Sequence, residues 1–450
     1  MINRLFLFLS VAVLISFGAC KSKVQTPEEV LKQIAFVDSI KPIKNDTLFK
    51  STYVVWFRMP LDHNNPNSPT FPLKAYYSHK GFNSPMVVVI DGYAMYTSRP
   101  NELSRILNSN QLTIEHRFFD QSRPKDSIPW GFLNVRQAAA DQHQIIQAFK
   151  PFYKGKWAST GISKSGQATI FHRRFYPKDV DISVPYVAPL NFSSEDPRVY
   201  DFLSKVGTDE CRAKILGFQL QLFEKKKEIF PMFEKLAKDK NWEFKMGLDR
   251  AYDLSVLECS FASWQWGTPC DSIPAKNASA KTLFKHFQMI NPFTFFEEKS
   301  IESTRPFFFQ AMTEIGMYGY DVKPFKKYLK DTSNITFEFT MPKGHHEKFN
   351  SETMKDVDAW LKENGNNMLY IYGQNDAWSS TAVVPGNKTN AVIMFNPGGS
   401  HASRIRNFPA EMQDSIYSVL EKWMGVDLSS KKSKGACGGT NPNALKFQIL

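Results

Sequence analysis

The chain has 450 residues, of which 42% are hydrophobic and 14% aromatic, so it can bury the core of one large enzyme domain or two smaller ones. Its formal net charge is +12, but the basic residues are interspersed with acidic ones and no aromatic–basic stripe accompanies them. This pattern argues against a nucleic-acid partner. The charge suits attraction to an acidic envelope surface or to acidic peptides.

The N-terminal residues have the pattern of an export signal. Arg4 precedes an apolar run over residues 5–17, which is too short for a lasting membrane span. The run ends in a string that resembles a bacterial lipobox, with Cys20 as the lipidated residue. The sequence therefore predicts a lipoprotein signal peptide over residues 1–19 and a tether and entry segment over residues 20–44. The protein would be exported and held by a lipid anchor on the cell envelope, facing the periplasm or the surface.

Buried strands alternate with helical stretches over residues 45–190. The β-branched strand at 85–90 runs into Gly92 and Tyr93. Gly92 allows the backbone to turn an amide inward, so the Tyr93 N–H is a candidate donor to an oxyanion. The alternative is a simple turn at the end of a strand.

A serine stands between the predicted strand 156–160 and the predicted helix 167–174, in the string GISKSG at 161–166. A serine on a tight strand-to-helix turn, with small residues two before and two after, is the nucleophile elbow of α/β-hydrolases. The sequence thus predicts Ser163 as a nucleophile, with the Lys164 N–H as an oxyanion donor. An ordinary glycine–serine loop is the alternative.

The pattern changes over residues 191–333, where helical periodicity, charge pairs and aromatic-rich pieces dominate. An insertion at this point is where α/β-hydrolases place a cap, so we predict a mostly helical lid over the active site. The alternative is a second structural domain without a role in substrate selection.

Strand and helix alternation resumes over residues 334–428. The buried strand 367–372 leads into a loop with Asp376, and the strand at 391–395 is followed by His401. Both residues follow the carboxyl end of a strand, where open α/β sheets keep their ligand sites. The order Ser…Asp…His is that of α/β-hydrolases. We therefore predict His401 as the base and Asp376 as the residue that fixes its tautomer, the alternatives being a turn aspartate and a helix-capping histidine.

The remaining cysteines and the tail are less informative. Cys211, Cys259, Cys270 and Cys437 allow three full disulfide connectivities. The histidines and the glutamate at 344–347 lack the spacing of a zinc motif, and we predict neither a metal nor an organic cofactor. Glycines and a proline make a flexible tail the prediction for residues 429–450.

The chain resembles the secreted bacterial tripeptidyl aminopeptidases, serine peptidase family thirty-seven, in blocks that span most of residues 50–425. The matching blocks are 115–119, 122–124, 136–141, 156–164, 171–181, 186–189, 206–208, 211–212, 264–267 and 313–316. Ser165 departs from the pattern, which has glycine there. Because Cys211 and Cys270 lie in segments of the chain that match the family, the resemblance implies that they pair. The related prolyl carboxypeptidase and dipeptidyl peptidase family shares the block at 115–117 but has a different elbow string.

The resemblance implies an α/β-hydrolase fold and an exported serine exopeptidase that releases short peptides, tripeptides above all, from free N-termini through an acyl-enzyme on Ser163. The alternatives are an esterase or other acyl hydrolase with the same triad, a prolyl-type dipeptidyl or carboxypeptidase-like enzyme, and a peptide-capturing surface protein with a degenerate triad.

An exopeptidase of this kind must recognise a cationic α-amino group, which calls for a carboxylate in a partly desolvated pocket. Glu115 and Glu314 are the candidates, because each lies in a matching block beside aromatic residues. The alternatives are that Glu115 forms a structural ion pair with Arg117 or Arg123, and that Glu314 caps a helix.

Overall fold

A nine-stranded mixed sheet organises the fold in the computed structural model, which describes residues 25–290, 293–332 and 335–433. The strands are β1 (Val37–Ile43), β2 (Ser51–Pro60), β3 (Thr70–His79), β4 (Met86–Ile90), β5 (Asn110–Ile114), β6 (Trp157–Ile162), β7 (Ile182–Tyr186), β8 (Leu369–Gly373) and β9 (Val392–Asn396). Their order across the sheet is β1-β2-β3-β5-β4-β6-β7-β8-β9. The first three strands and the β3–β5 pair are antiparallel, and β4 to β9 are parallel. This mixed sheet confirms the predicted α/β-hydrolase fold.

Helices cover both faces of the sheet and fill the connection between β7 and β8. They are α1 (Pro27–Gln33), α2 (Glu102–Leu107), α3 (Val135–Phe149), α4 (Lys164–Phe175), α5 (Pro197–Leu203), α6 (Asp209–Glu224), α7 (Lys226–Asp239), α8 (Leu248–Trp266), α9 (Ala280–Ile290), α10 (Glu298–Gln310), α11 (Glu352–Asn364) and α12 (Ala410–Met424). Alternation along β4 assigns the faces: Val88 packs in one core with Ile146 of α3, and Val87 packs in the opposite core with Leu420 of α12.

The connection between β7 and β8 is a helical insertion, by which we mean α5 to α10 and the turns between them. Its described residues form helices and short turns without a strand. Cys211 of α6 and Cys270 form a disulfide, which confirms the pairing that the resemblance implied. Cys259 is a buried free thiol. The insertion is packed largely by aromatic side chains, and its action as a lid stays a prediction.

The N-terminal part of the described chain, which falls in the predicted tether and entry segment, forms a helix and a strand. Thr26 caps α1 through a reciprocal pair of bonds with Glu29, and β1 pairs with β2 as the first strand of the sheet. The predicted signal peptide, Cys20, Cys437 and the tail from residue 434 lie outside the described residues. No helix within the described ranges is long and apolar enough to cross a bilayer.

Candidate active site

Ser163 occupies a strained backbone position between β6 and α4. Its φ and ψ are 60° and −125°, a combination that non-glycine residues rarely adopt. A Cβ on Gly161 would lie 2.1 Å from the Ser165 carbonyl oxygen, and a Cβ on Gly166 would lie 2.7 Å from the Ala188 Cβ. The chain therefore turns too tightly for side chains at these glycines, which is the geometry of a nucleophile elbow.

Ser165 joins the elbow to the loop that follows β4. Its Oγ accepts a hydrogen bond from the Gly92 N–H at 2.9 Å and donates one to Asp91 Oδ1 at 3.0 Å. A Cβ on Gly92 would lie 2.7 Å from the backbone of Lys164 and Ser165. The departure from glycine at position 165 thus adds two hydrogen bonds between the elbow and the neighbouring loop without blocking their close approach.

The two predicted oxyanion donors, the N–H groups of Lys164 and Tyr93, have different surroundings. The Lys164 N–H is the first amide of α4, at the positive end of the helix. The Tyr93 N–H donates to Asp91 Oδ1 at 3.1 Å, so the structure already gives this predicted donor an acceptor. The Asp91 carboxylate also accepts from the Gly92 N–H, and burial raises its pKa against the opposing effect of these hydrogen bonds.

The predicted acid and base are brought together. His401 Nδ1 lies 2.7 Å from Asp376 Oδ2, with Asp376 after β8 and His401 after β9. Both side chains are buried. An Nδ1–H that donates to this carboxylate leaves Nε2 as the acceptor for a serine proton. The main chain helps to hold the histidine, because its N–H donates to the Gln265 carbonyl at 2.8 Å.

A cavity of about 190 Å³ contains the predicted nucleophile. Ser163 lines it together with Trp266, whose ring packs edge-on against His401 at a centroid distance of 5.8 Å. The helical insertion also contributes Glu258, Ala262, Gln265, Phe295 and Phe307 to the wall, and the segment after α10 contributes Tyr318. Within the described residues, no three His, Cys, Asp or Glu side chains are grouped to hold a metal ion.

The Lys164 side chain also reaches this cavity. Its Nζ donates to the Gly92 carbonyl at 2.7 Å and lies over the rings of Tyr93 and Phe119. Burial lowers the pKa of Lys164 to about 7, against the opposing effect of Asp91. The ammonium therefore steadies the loop after β4 and loses its proton around neutral pH.

Glu115 is not placed to bind a substrate. Its carboxylate is buried away from the cavity, where it accepts from the Met95 N–H at 2.7 Å and from Ser122 Oγ at 2.5 Å. Lys74 Nζ lies 3.8 Å from it. The predicted role in amine binding is thus replaced by a structural one, and the cation is Lys74 rather than either predicted arginine.

Glu314 likewise serves the scaffold. Its Oε2 accepts a hydrogen bond at 2.9 Å from the N–H of Val135, and Val135 is the first residue of α3. A carboxylate there complements the positive end of that helix. Burial raises the pKa of Glu314. The helix-capping alternative describes this residue, and it does not line the cavity.

The carboxylate that does line the cavity is Glu258 on α8, which the sequence did not single out. Its oxygens accept hydrogen bonds from the hydroxyl of Tyr318, at 2.8 and 2.9 Å, and from that of Tyr320 at 2.7 Å. Burial raises the pKa of Glu258 to about 7. The available signal was that Glu258 is the only charged residue over positions 254–264.

Comparisons with known proteins agree with this geometry. The family described as PS-10 peptidase S37 matches residues 32–444. A prolyl tri/tetrapeptidyl aminopeptidase from Streptomyces mobaraensis is 34% identical over 382 residues, which cover 83% of this chain and 80% of the relative. A probable serine protease from Arabidopsis thaliana is 21% identical over 426 residues, which cover 82% of this chain and 84% of the relative.

Among solved structures, similarity extends to a proline iminopeptidase from Mycobacterium smegmatis. It is 13% identical, has a TM-score of 0.38, and covers 86% of this chain and 98% of its own. Acetyl xylan esterase 1 from a Thermoanaerobacterium species is 11% identical, also with a TM-score of 0.38, and covers 88% of this chain and 92% of its own.

Proposed function

The chain belongs to the PS-10 peptidase S37 family and is a serine exopeptidase, and from this premise we propose that it releases tripeptides from free peptide N-termini. The observation that carries the proposal is the 2.7 Å bond between His401 and Asp376 beside the cavity that Ser163 lines. The name of the Streptomyces relative, a prolyl tri/tetrapeptidyl aminopeptidase, supports the release of peptides of three or four residues and suggests proline before the cleaved bond.

In the proposed reaction, Ser163 Oγ attacks the carbonyl carbon of the scissile bond while His401 Nε2 takes its proton. Asp376 holds the imidazole in the required tautomer and stabilises its cationic form. The new C–O bond creates a tetrahedral oxyanion, to which the Lys164 N–H at the start of α4 donates. The Tyr93 N–H is the second donor only if it exchanges its bond to Asp91 for one to the oxyanion.

Collapse of this intermediate breaks the C–N bond, and His401 returns the proton to the leaving amine. Water, deprotonated by His401, then attacks the acyl-enzyme and frees the short peptide along with Ser163. The chain's own side chains supply every proton transfer in this scheme.

We also propose that the protein is an exported lipoprotein anchored through Cys20. The charged and apolar N-terminal residues support export, as does the disulfide between Cys211 and Cys270, since such bonds persist in oxidising compartments. Detergent phase partitioning of the protein from its native host tests this. Wild type should enter the detergent phase and Cys20→Ser should not; equal partitioning of the two would contradict the anchor.

Kinetics on matched peptide p-nitroanilides test the exopeptidase proposal. Free Ala-Ala-Pro-p-nitroanilide should be cleaved with release of the intact tripeptide, and its N-acetylated form should be a poor substrate. Ser163→Ala should lower kcat by about 10⁴- to 10⁶-fold with folding unchanged. Ser400→Ala, next to His401 in the chain, is the control and should retain activity.

Assays on acyl esters, on dipeptide p-nitroanilides and on unblocked peptides separate the alternatives. Efficient cleavage of simple acyl esters without cleavage of any peptide would favour an esterase. Release of dipeptides, or of single residues from the C-terminus, would favour the prolyl dipeptidyl or carboxypeptidase-like alternatives. An inert protein that binds peptides without turnover would indicate a degenerate triad.

A further inference from the structure

We propose that Glu258 binds the α-ammonium group of the substrate and that helix α8 fixes the released length at three residues. The inference rests on the proposed exopeptidase function and assigns that function a binding residue and a physical measure of length.

Glu258 is a buried carboxylate that lacks a countercharge among the described residues. The carboxylate is buried on α8 and receives hydrogen bonds from two neutral hydroxyls, those of Tyr318 and Tyr320. Within the part of the chain that the structure describes, no Lys, Arg or His forms an ion pair with it. Hydroxyl donors orient a carboxylate without neutralising it, and a buried charge without a partner is unfavourable. A cation that enters the cavity would supply the missing partner.

One face of helix α8 extends from the Glu258 carboxylate to His401. Glu258, Ala262, Gln265 and Trp266 all line the cavity, at positions i, i+4, i+7 and i+8 of the helix. At the far end of this face, the Gln265 carbonyl accepts the His401 N–H at 2.8 Å, and Trp266 packs against the imidazole. A substrate that lies along this face therefore has its amine end at Glu258 and its reacting end at the predicted triad.

The separation of Glu258 and Gln265 along the axis of α8 corresponds to the length of a tripeptide. A helix rises 1.5 Å per residue, so Glu258 and Gln265 are separated by about 10 Å along the axis. An extended peptide spans about 3.3–3.6 Å per residue. Two residues thus reach about 7 Å, three about 10 Å and four about 14 Å. Three residues match the axial separation of Glu258 and Gln265, whose carbonyl accepts the His401 N–H.

Aromatic side chains form a partition behind Glu258, by which we mean Tyr318, Tyr320 and Phe261. A second cavity of about 330 Å³ lies on the other side of α8 and is lined by Tyr320 and Phe261. Tyr320 donates its hydroxyl to Glu258, and Phe261 stacks on Tyr318 with ring centroids 3.6 Å apart. These side chains stand between Glu258 and the second cavity, where they would block residues that precede the bound amine.

Glu258→Gln tests the binding residue. The amide oxygen still accepts from both tyrosines, so the variant removes charge and little else. Free Ala-Ala-Pro-p-nitroanilide should lose about ten- to a hundredfold in kcat/KM, mainly through KM, while its N-acetylated form changes little. Glu115→Gln, an equally buried carboxylate outside the cavity, is the control and should keep the wild-type preference for the free amine.

Tyr320→Ala tests the length. The variant should join the two cavities and raise the ratio of tetrapeptide to tripeptide release by about tenfold, measured on di-, tri- and tetrapeptide p-nitroanilides of one series. Tyr320→Phe keeps the ring and should keep the tripeptide preference, with a few-fold weaker preference for the free amine. An unchanged length profile in Tyr320→Ala would overturn the role of the partition.

Different results would contradict the exopeptidase proposal and the assignment of Glu258. If wild type cleaves free and acetylated peptides equally, the exopeptidase proposal itself is wrong. If wild type prefers free peptides and Glu258→Gln keeps that preference, only the assignment of Glu258 is wrong.

Discussion

The two halves of the site are held in place by different physics. On the sheet side, backbone geometry fixes Ser163: a strained φ of 60° and glycines whose Cβ positions are already occupied. On the side of the helical insertion, Glu258 is fixed by two tyrosine hydroxyls and stacked aromatic rings. Reactive groups therefore stand where tight turns place them, whereas the binding group depends on the packing of a helix against distant residues.

This difference predicts different responses to substitution. Changes on the sheet side should lower kcat and leave stability nearly unchanged, because they remove chemistry rather than packing. Changes in the insertion should alter KM and stability together, because the same contacts bind substrate and fill the core.

Asp376→Asn should give the largest effect, a drop of about 10⁴-fold in kcat with little change in unfolding temperature. The amide presents the wrong partner to His401 Nδ1 and disfavours the tautomer that accepts the serine proton. Asp358→Asn, which removes only a partly exposed pairing with Lys362 on α11, is the control. Near-normal activity in Asp376→Asn, combined with an inactive Asp358→Asn, would show that the acid lies elsewhere.

The disulfide of the insertion should contribute stability without contributing chemistry. The bond joins residues 59 apart in sequence, which corresponds to about 4 kcal/mol if it acts by restricting the unfolded chain. Reduction should therefore lower the unfolding temperature and leave kcat of the folded enzyme unchanged. The Cys211→Ser, Cys270→Ser double variant should be insensitive to reductant. A wild-type unfolding curve that reductant does not shift would contradict the expectation.

Glu258→Gln should stabilise the protein at alkaline pH. Burial raises the pKa of Glu258 from its ordinary value of 4.5 to about 7. The folded state thus holds this proton more tightly than the unfolded state, so stability present below pH 4.5 is lost as pH rises to about 7. The loss is on the order of 3 kcal/mol.

Urea unfolding of wild type and Glu258→Gln from pH 5 to 8 measures this effect. The variant should be more stable than wild type at pH 8, with the difference shrinking toward pH 5. A variant that is less stable at pH 8 would mean that the carboxylate serves the scaffold, as Glu115 does, and the contrast between the two regions would weaken.

The smallest effect is expected at Ser165. Ser165→Ala removes the bonds to the Gly92 N–H and Asp91 and should lower kcat by about three- to tenfold, since the loop after β4 is less firmly held. Ser165→Gly, which restores the family residue, should behave like Ser165→Ala. Ser165→Val should be much worse, because only small side chains fit the turn; equal activity of all three would place the elbow elsewhere.

Local sequence patterns were sufficient for the sheet side of the site. Buried strands, the turn residues that end them and the order Ser163, Asp376, His401 predict positions that β6, β8 and β9 then supply. This works because the carboxyl ends of parallel strands meet at one edge of the sheet, so chain order and strand ends determine proximity.

Contacts between residues that are distant in sequence could not be predicted from local patterns. Glu115 meets Lys74 because β3 and β5 are antiparallel neighbours, a register that no local pattern specifies. Glu258 meets Tyr318 and Tyr320 from a segment some sixty positions later. Helical periodicity shows that α8 is buried, but it does not show which of its faces meets a core and which meets a cavity.

The oxyanion loop shows a finer limit. Sequence placed the Tyr93 N–H near the elbow, and the Gly92 backbone does approach Lys164 closely. The direction of the amide depends on Asp91, whose buried carboxylate draws donors toward itself. Such competition between acceptors is decided by burial, which a sequence pattern does not report.

Labelling with a fluorophosphonate, followed by mass-spectrometric mapping of the modified residue, tests the central claim most directly. The reagent phosphonylates a serine only when a base activates it and an oxyanion site receives the developing charge. We predict one adduct, on Ser163, formed rapidly in wild type and lost in both His401→Ala and Ser163→Ala. An adduct on another serine, or labelling of Ser163 that His401→Ala leaves unchanged, would contradict the account.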